Sequence, residues 1–215
     1  MHGVAVVLAC FSLITLLLAW SRWLVGRRLA AAGHLLLAVA AGWGAAALWP
    51  ILASLDTYEP LVRDQVVAEL HFEQTGSRSF RATLTRLPVG QIQVFEMSGD
   101  QWRIEARTLD WRGRAAQLGL RPAYRLERLS ARHTRPVPGQ DPAASSYALG
   151  EDRGDDVWAK ARTSPAWMRY AQGNHADGPW QPLANGARFA VRIEGRTLLV
   201  DPANEAAAVS EDRPR

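Results

Sequence analysis

Two long stretches of apolar side chains open the chain, and they differ sharply from everything that follows. The first extends from Val4 to Trp20 without a charge, and the second from Leu29 to about Leu55. A helix needs about 20 apolar residues to cross the ~30 Å hydrocarbon core of a bilayer. The pattern therefore predicts a hairpin of two transmembrane helices over residues 1–55.

The only charged side chains in these 55 residues are Arg22, Arg27 and Arg28, and all three lie at the link between the two stretches. Positive residues are retained on the cytoplasmic side of a membrane, whereas the following residues 56–60 are acidic. We therefore expect both termini outside the cytoplasm, anchored in a bacterial inner membrane, with a periplasmic soluble domain. The opposite orientation and a cleaved signal peptide are the alternatives, although Ala19-Trp20-Ser21-Arg22 is a poor cleavage site.

Small residues recur along the second apolar stretch. Ala38 with Gly42, and Ala40 with Gly44, have the four-residue spacing that lets helix backbones approach closely in lipid. This pattern predicts tight packing against the first helix or a partner, including a second copy of the chain. A bias towards alanine in GC-rich coding is the alternative explanation. His34 is the only ionisable group within the stretch, and we expect it to be neutral or to reach the interface.

From Asp64 onward, apolar and polar residues alternate with the period of two that is typical of β-strands. The apolar set of each strand, such as Phe80, Ala82 and Leu84, is expected to face inward. The predicted strands are Val66–Phe72, Phe80–Leu84, Gln91–Met97, Trp102–Trp111, one from Tyr124, a short one near Tyr147, and a final hairpin over Phe189–Val200. We expect Gln91–Met97 and Trp102–Trp111 to pair as a hairpin around residues 98–101. The pattern predicts a mainly β domain over residues 56–205, built as an antiparallel β-sandwich or half-barrel.

One or two short helices interrupt this β pattern. Asp155 or Asp156 can cap a helix that continues through Ala161. Ser164 followed by Pro165 predicts a second helix that reaches Ala171. Residues 206–215 have the composition of a disordered tail.

Five tryptophans lie in the β-rich region, and they are expected either to build its core or to line a ligand pocket. They are Trp102, Trp111, Trp158, Trp167 and Trp180.

The formal net charge is +4, but the distribution of the charges along the chain says more about function than the total does. Lys160 is the only lysine, and the arginines are interspersed with acidic residues rather than grouped in a basic run. Nucleic-acid binding is therefore not expected. Cys10, the only cysteine, excludes an intramolecular disulfide.

The sequence contains no motif typical of catalysis, cofactor binding or metal binding, so no catalytic, cofactor-binding or metal-ligating residue is predicted. His71, His133 and His175 do not have the spacing of metal ligands. The region Gly173–Gly178 has the composition of a turn. If the protein is an enzyme, its candidate residues are His175, Asp177 and the Asp155-Asp156 pair, which would have to converge on one pocket.

Several short stretches of the chain are similar to those of one family. They are Tyr58-Glu59-Pro60, Gly99-Asp100-Gln101-Trp102, the segment Tyr124–Ser130, Asp156-Val157-Trp158, Ala184-Asn185-Gly186-Ala187 and Pro202-Ala203-Asn204. With the two N-terminal helices, they resemble an uncharacterised family of small two-helix proteobacterial membrane proteins often labelled "cation/multidrug efflux pump". The resemblance supplies no site residues.

A self-sufficient pump conflicts with this architecture, because two helices cannot enclose an alternating-access pathway. We expect a non-catalytic, membrane-anchored envelope protein whose β domain binds a partner protein or an amphiphile. The alternatives are an accessory subunit of an efflux or other transport complex, and an unrecognised enzyme. The expected partners are the lipid bilayer and a larger membrane or envelope protein.

Overall fold

The computed structural model describes residues 3–62, 64–117, 119–134, 145–150 and 156–211. The chain divides into two compact units. The first is Met1–Thr57 with Asp152–Val157, and the second is Tyr58–Glu151 with Trp158–Arg215.

Two helices dominate the first unit, α1 (Gly3–Leu24) and α2 (Arg28–Leu55). Both are long and apolar enough to cross a membrane, judged by length and composition. Gly26 makes the tight link between them with a positive φ of 77°, a conformation that glycine adopts without steric strain. The prediction of two apolar helices is confirmed.

The small residues of α2 lie against α1. Ser12 Oγ donates a hydrogen bond to the Ala38 carbonyl at 2.7 Å. A Cβ added at Gly42 would lie 3.1 Å from this Ser12 Oγ. The Ala38–Gly42 spacing therefore serves packing within the hairpin. His34 Nδ1 lies 2.7 Å from the Ala30 carbonyl oxygen one turn earlier, so the imidazole has a local hydrogen-bond partner.

Eleven strands form two antiparallel sheets in the described part of the second unit. In sheet A the order is β1-β6-β5-β8, with β7 on β6 and β9 on β5, and in sheet B it is β11-β10-β2-β3-β4. The strands are β1 (Glu59–Pro60), β2 (Val66–Gln74), β3 (Ser79–Arg86), β4 (Gln91–Ser98), β5 (Gln101–Trp111), β6 (Ala123–Arg132), β7 (Ser145–Ala148), β8 (Ala171–Asp177), β9 (Gln181–Pro182), β10 (Arg188–Glu194) and β11 (Thr197–Pro202). The short helices are α3 (Gly113–Gln117), α4 (Val157–Thr163), α5 (Pro165–Met168) and α6 (Glu205–Glu211).

One hydrophobic core lies between the inner faces of the two sheets. At its centre, the ring centroid of Trp102 lies 5.0 Å from that of Phe72 and 5.2 Å from that of Phe189. Fully burying a large apolar side chain contributes about 1.5–3 kcal/mol. The sheets do not close into a barrel, so the sandwich alternative is confirmed, together with the inward faces predicted for β2, β3, β5 and β10.

The predicted hairpin of β4 with β5 is wrong. β4 pairs with β3 in sheet B, whereas β5 pairs with β6 and β8 in sheet A. Gly99 carries the chain from one sheet to the other, with φ 152° and with its missing Cβ position only 2.7 Å from the Arg132 carbonyl oxygen. Alternation specifies which side of a strand faces the core, but it does not specify which strand lies beside it.

Three other predictions differ from the structure. Residues 173–177, predicted as a turn, belong to strand β8, and the helix beginning at Pro165 ends at Met168 rather than at Ala171. Residues 206–211, predicted to be disordered, lie in α6. Asn204 explains this helix, because its Oδ1 accepts a hydrogen bond from the Ala207 N–H at 3.1 Å, as a helix N-cap does.

Candidate functional site

The outer face of sheet A carries a group of ionisable side chains from β5, β6 and β8. An Arg107 guanidinium N–H donates to Glu127 Oε1, and His175 Nδ1 lies 3.6 Å from Glu127 Oε2. The Arg107 and Glu127 side chains are only 13% and 18% exposed, whereas that of His175 is 45% exposed. The three residues form a buried ion pair with an accessible imidazole at its rim.

A β-bulge places Glu127 in this group. Glu105 pairs with Arg128 and Ala106 with Leu126, so Glu127 is the extra residue of β6. A bulge re-aims side chains relative to the regular pleat. His175 reaches the same point because it pairs with Arg107 across β5 and β8. Periodicity alone does not predict this convergence.

Trp158 covers the group from α4. Its ring centroid lies 4.4 Å from Arg107 Cζ, 4.7 Å from Arg162 Cζ and 4.5 Å from the His175 ring centroid. Its indole N–H donates to the Asn174 carbonyl at 3.0 Å. A guanidinium group over a tryptophan face is stabilised by the ring quadrupole. The contacts with Arg107, His175 and Asn174 hold α4 on the sheet, whereas the contact with Arg162 lies within α4.

Gly173 makes room for this tryptophan. A Cβ at Gly173 would lie 2.8 Å from both Trp158 Cδ1 and the Trp158 carbonyl oxygen, which is too close for any side chain. The composition of residues 173–178 was interpreted as a turn. Gly173 is instead a strand residue at a point of close approach, which is the other structural role of glycine within a strand.

A second tryptophan is held in the same way farther along the face. The Trp180 ring centroid lies 4.1 Å from Arg132 Cζ and 4.7 Å from Arg103 Cζ. Trp102 is thus the tryptophan at the centre of the main core, whereas Trp158 and Trp180 are bound to arginines on the outer face of sheet A.

The candidate enzyme residues lie in different parts of the chain. His175 and Asp177 both point outward from β8, Asp156 belongs to the first compact unit, and Asp155 is outside the described residues. His71 lies beside Glu73, and His133 beside Asp100, so each histidine adjoins a different carboxylate. In the described ranges no group of three or more His, Cys, Asp or Glu side chains could hold a metal ion.

A polar cluster also lies where β1 joins the sandwich. The Tyr124 hydroxyl donates to Glu59 Oε2 at 2.7 Å and lies 3.3 Å from the Leu87 carbonyl oxygen. Burial, and next this hydrogen bond to Glu59, raise the pKa of Tyr124 far above its ordinary value of 10.0. Desolvation lowers the pKa of the neighbouring Arg86. The neutral phenol therefore remains a donor and fixes β1 to β6.

Strand β4 has an unusual side-chain pattern at one edge of sheet B. Ile92 and Val94 point to the outer face and are 64% and 56% exposed. Gln93 points the other way and accepts a hydrogen bond from Arg86 at 3.2 Å. The inward position of this half of β4 is therefore occupied by polar Gln93, which contacts Arg86, and the apolar Ile92 and Val94 lie on the outer face.

Among the described residues, side chains from β7 contact the second half of the β4 edge. The Tyr147 hydroxyl donates to the Glu96 carbonyl, and the Ser98 N–H donates to Ser145 Oγ at 3.2 Å. Backbone groups of alternate residues point to the same edge of a strand. Those of Ile92 and Val94 therefore point to the open edge, where sheet B ends.

The sequence contained a signal for this edge. In Gln91–Met97 both alternating sets contain apolar residues: Ile92 and Val94 in one set, Phe95 and Met97 in the other. A strand with two apolar faces has more apolar surface than one sheet face can bury.

No family model matches the chain, and neither a curated protein nor a solved structure matches it significantly.

Proposed function

We propose that the protein is a non-catalytic, membrane-anchored envelope protein whose β domain binds an extended segment of a partner polypeptide along β4. The observation that carries this proposal is the open first half of β4, where exposed Ile92 and Val94 accompany edge-facing backbone groups. An edge strand of this kind is a template for pairing with another chain.

Strand addition makes use of both features of this edge. Backbone hydrogen bonds to β4 supply affinity, and side chains that alternate along the added strand supply specificity. A segment paired here would place apolar side chains beside Ile92 and Val94, about 5 Å away across the strand pair. Burying these two side chains removes from water the apolar surface that the fold itself leaves exposed.

The filled interior favours a partner polypeptide over an amphiphile held between the sheets. Phe72, Trp102 and Phe189 contact one another at ring-centroid distances of 5.0–6.1 Å across the centre of the sandwich. An acyl chain would have to displace these rings. Binding at the surface requires no such rearrangement.

In this proposal α1 and α2 anchor the protein in the bacterial inner membrane. Arg22, Arg27 and Arg28 hold their link on the cytoplasmic side, so the β domain lies in the periplasm. The partner is then a larger membrane or envelope protein, and a transport complex is one such assembly. In this proposal the outer-face group of Arg107, Glu127 and His175 has a structural role, since Arg107 pairs with Glu127 Oε1 and Trp158 packs on Arg107 and His175.

Site-specific photocrosslinking along β4 tests the proposal. A photoreactive amino acid is placed singly at Gln91, Ile92, Gln93 or Val94 in the full chain, expressed in its membrane. We expect crosslinks to one polypeptide from positions 92 and 94, and few from 91 and 93, because alternate residues face the same side. The crosslinked peptide, identified by mass spectrometry, should be a segment of alternating apolar residues.

A crosslinker at Thr83, on the outer face of neighbouring β3, is the matched control and should remain unreacted. Crosslinks only to lipid, only to a second copy of this chain, or equally from all four β4 positions would contradict strand addition by a partner.

A further inference from the structure

One end of the sandwich, here called the β1 end, collects five exposed arginines from separate loops. The β1 end comprises residues 58–62 and 64 around β1, the β3–β4 turn, residues 112–117 and 119–122 with α3, residues 165–170 that contain α5, and the β10–β11 turn. Its arginines are Arg112, Arg114, Arg121, Arg169 and Arg196.

Hydrogen bonds show that these loops meet. Leu61 N–H donates to the Pro122 carbonyl at 2.7 Å, and Arg112 N–H to the Tyr170 carbonyl at 2.8 Å. The Tyr124 hydroxyl lies 3.3 Å from the Leu87 carbonyl oxygen and so connects the β3–β4 turn to the start of β6. The loops thus form one surface although they are far apart in sequence.

Two of the arginines converge on one neutral group. Arg112 and Arg196 both donate to Oε1 of Gln172, the latter at 2.9 Å. Two guanidinium groups at one amide oxygen retain donors and positive charge for another acceptor. A phosphate, with several anionic oxygens, suits such a pair better than an amide.

These arginines differ from others of the β domain in lacking acidic partners. Arg81, Arg103, Arg107 and Arg192 each form an ion pair. None of the five at the β1 end forms one with an acid in the described part of the chain. In the described part of this end the exposed acids are Asp64 and Glu194, with Asp56 in the adjoining link, so the five arginines outnumber them.

Exposed apolar side chains accompany the arginines. Val62 and Val89 are 50% and 73% exposed, and Met168 at the end of α5 and Tyr170 after it are also exposed. Basic side chains interleaved with apolar and aromatic ones are typical of surfaces that lie in a membrane interface.

The chain itself brings the β1 end towards the bilayer. Only Asp56 and Thr57 separate the last residue of α2 from Tyr58 of the β domain. At no more than about 3.6 Å per residue, this link reaches roughly 10 Å. A β domain tethered so closely to a spanning helix cannot move its β1 end far from the headgroups.

We propose that the β1 end docks on the anionic headgroups of the membrane in which the chain is anchored. The five arginines bind headgroup phosphates, and Val89 enters the interface between headgroups. This inference rests on the anchoring part of the proposed function, but it is independent of partner binding at β4. Docking fixes the sandwich upright, so that its far end, with the β2–β3 turn, points away from the bilayer.

A fluorophore sensitive to polarity, placed at either end of the sandwich, tests this orientation. The full chain with Cys10→Ser receives a single label at Val89→Cys or, at the far end, at Thr75→Cys. It is reconstituted in nanodiscs of phosphatidylcholine, with or without phosphatidylglycerol, and quenched with lipids that carry nitroxides. We expect a blue shift and strong quenching at position 89, larger with phosphatidylglycerol and reduced by salt, and neither at position 75.

Charge variants identify the cause of the effect. Combining Arg114→Ser, Arg121→Ser and Arg169→Ser should abolish most of the phosphatidylglycerol-dependent shift, and the three arginine-to-lysine changes should retain it. The matched control combines Arg78→Ser, Arg81→Ser and Arg188→Ser, which remove the same charge nearer the far end and should leave the shift unchanged.

Each contrary outcome has a distinct meaning. Equal quenching at positions 75 and 89, or a shift that is indifferent to both phosphatidylglycerol and the first arginine set, would overturn docking of the β1 end alone. Failure of the chain to enter nanodiscs would overturn the anchor and this inference with it. If no partner crosslinks form from β4 while the label at position 89 keeps its lipid-dependent blue shift, only the partner proposal is overturned.

Discussion

The outer faces of the two sheets differ although their inner faces share one core. On sheet A, Trp158 and Trp180 each contact two guanidinium groups, and Glu127 is paired with Arg107. On sheet B, Ile92 and Val94 are exposed beside an open edge. The contacts described on sheet A thus join ionisable groups to one another and to tryptophans, whereas on sheet B two apolar side chains remain exposed at the edge.

A cluster of ionisable residues is therefore not by itself evidence of function. A histidine beside a buried carboxylate is a candidate for catalysis until the other contacts of the carboxylate are counted. Around Glu127 and His175 those contacts are Arg107 and Trp158, and together they attach α4 to the sheet.

The largest contrast should appear when one arginine is removed from each face. Arg107→Leu leaves the buried Glu127 carboxylate without its guanidinium, and we expect a loss of roughly 3 kcal/mol in the free energy of unfolding. Arg81→Leu breaks the Arg81–Glu96 pair on sheet B, whose side chains are 49% and 60% exposed, and should cost no more than about 1 kcal/mol. Denaturant unfolding of the full chain in detergent measures both losses.

Replacing Glu127 together with Arg107 refines this contrast. The double variant Arg107→Leu/Glu127→Leu should be more stable than Arg107→Leu alone, because no buried charge is left unpaired. Equal losses for Arg107→Leu and Arg81→Leu would show that the Arg107–Glu127 pair is no more important than an exposed one.

A smaller effect is expected from adding one methyl group beneath Trp158. Gly173→Ala places a Cβ 2.8 Å from the tryptophan, so α4 must shift, at a cost of about 1–3 kcal/mol. Gly76→Ala in the β2–β3 turn is the control, since its Cβ would meet nothing closer than 3.4 Å. Near-ultraviolet circular dichroism should change for Gly173→Ala and not for Gly76→Ala. An unchanged spectrum in both would argue against tight packing of Trp158.

The smallest effect on stability is expected at the exposed edge. Ile92→Thr with Val94→Thr should change the free energy of unfolding by less than about 0.5 kcal/mol per site, because both side chains are already in water. Ile92→Thr with the probe at position 94, and Val94→Thr with the probe at position 92, should each weaken the partner crosslink. A loss of several kcal/mol would mean that the two side chains support the fold rather than a partner.

Much of the fold could be predicted from local pattern. The charge-free stretches correspond to α1 and α2, and alternation identified the inward residues of β2, β3, β5 and β10. These predictions succeeded because side-chain period depends on backbone geometry within a single element. The predicted β4–β5 hairpin was wrong because strand pairing is decided by residues distant in sequence. Gly99, between the two strands, lies against the Arg132 carbonyl, and the chain passes there from sheet B to sheet A.

The candidate sites were less accessible to sequence reasoning. Glu127, Arg107, His175 and Trp158 come from four elements, and a bulge in β6 brings the carboxylate into register. The arginines of the β1 end are spread over residues 112–196. Neither group of residues has a characteristic spacing in the sequence, because the loops and strands that carry them become neighbours only after the strands pair.

The sequence by itself determined where apolar surface must be buried: two helices suited to lipid, and strands with one face towards a core. That follows from the hydrophobic effect acting on each element separately. The tertiary structure adds that Glu127 pairs with Arg107, that Ile92 and Val94 remain exposed, and that arginines without an acidic partner in the described residues gather at the β1 end. These outcomes depend on which strands become neighbours, and strand pairing is a property of the whole chain.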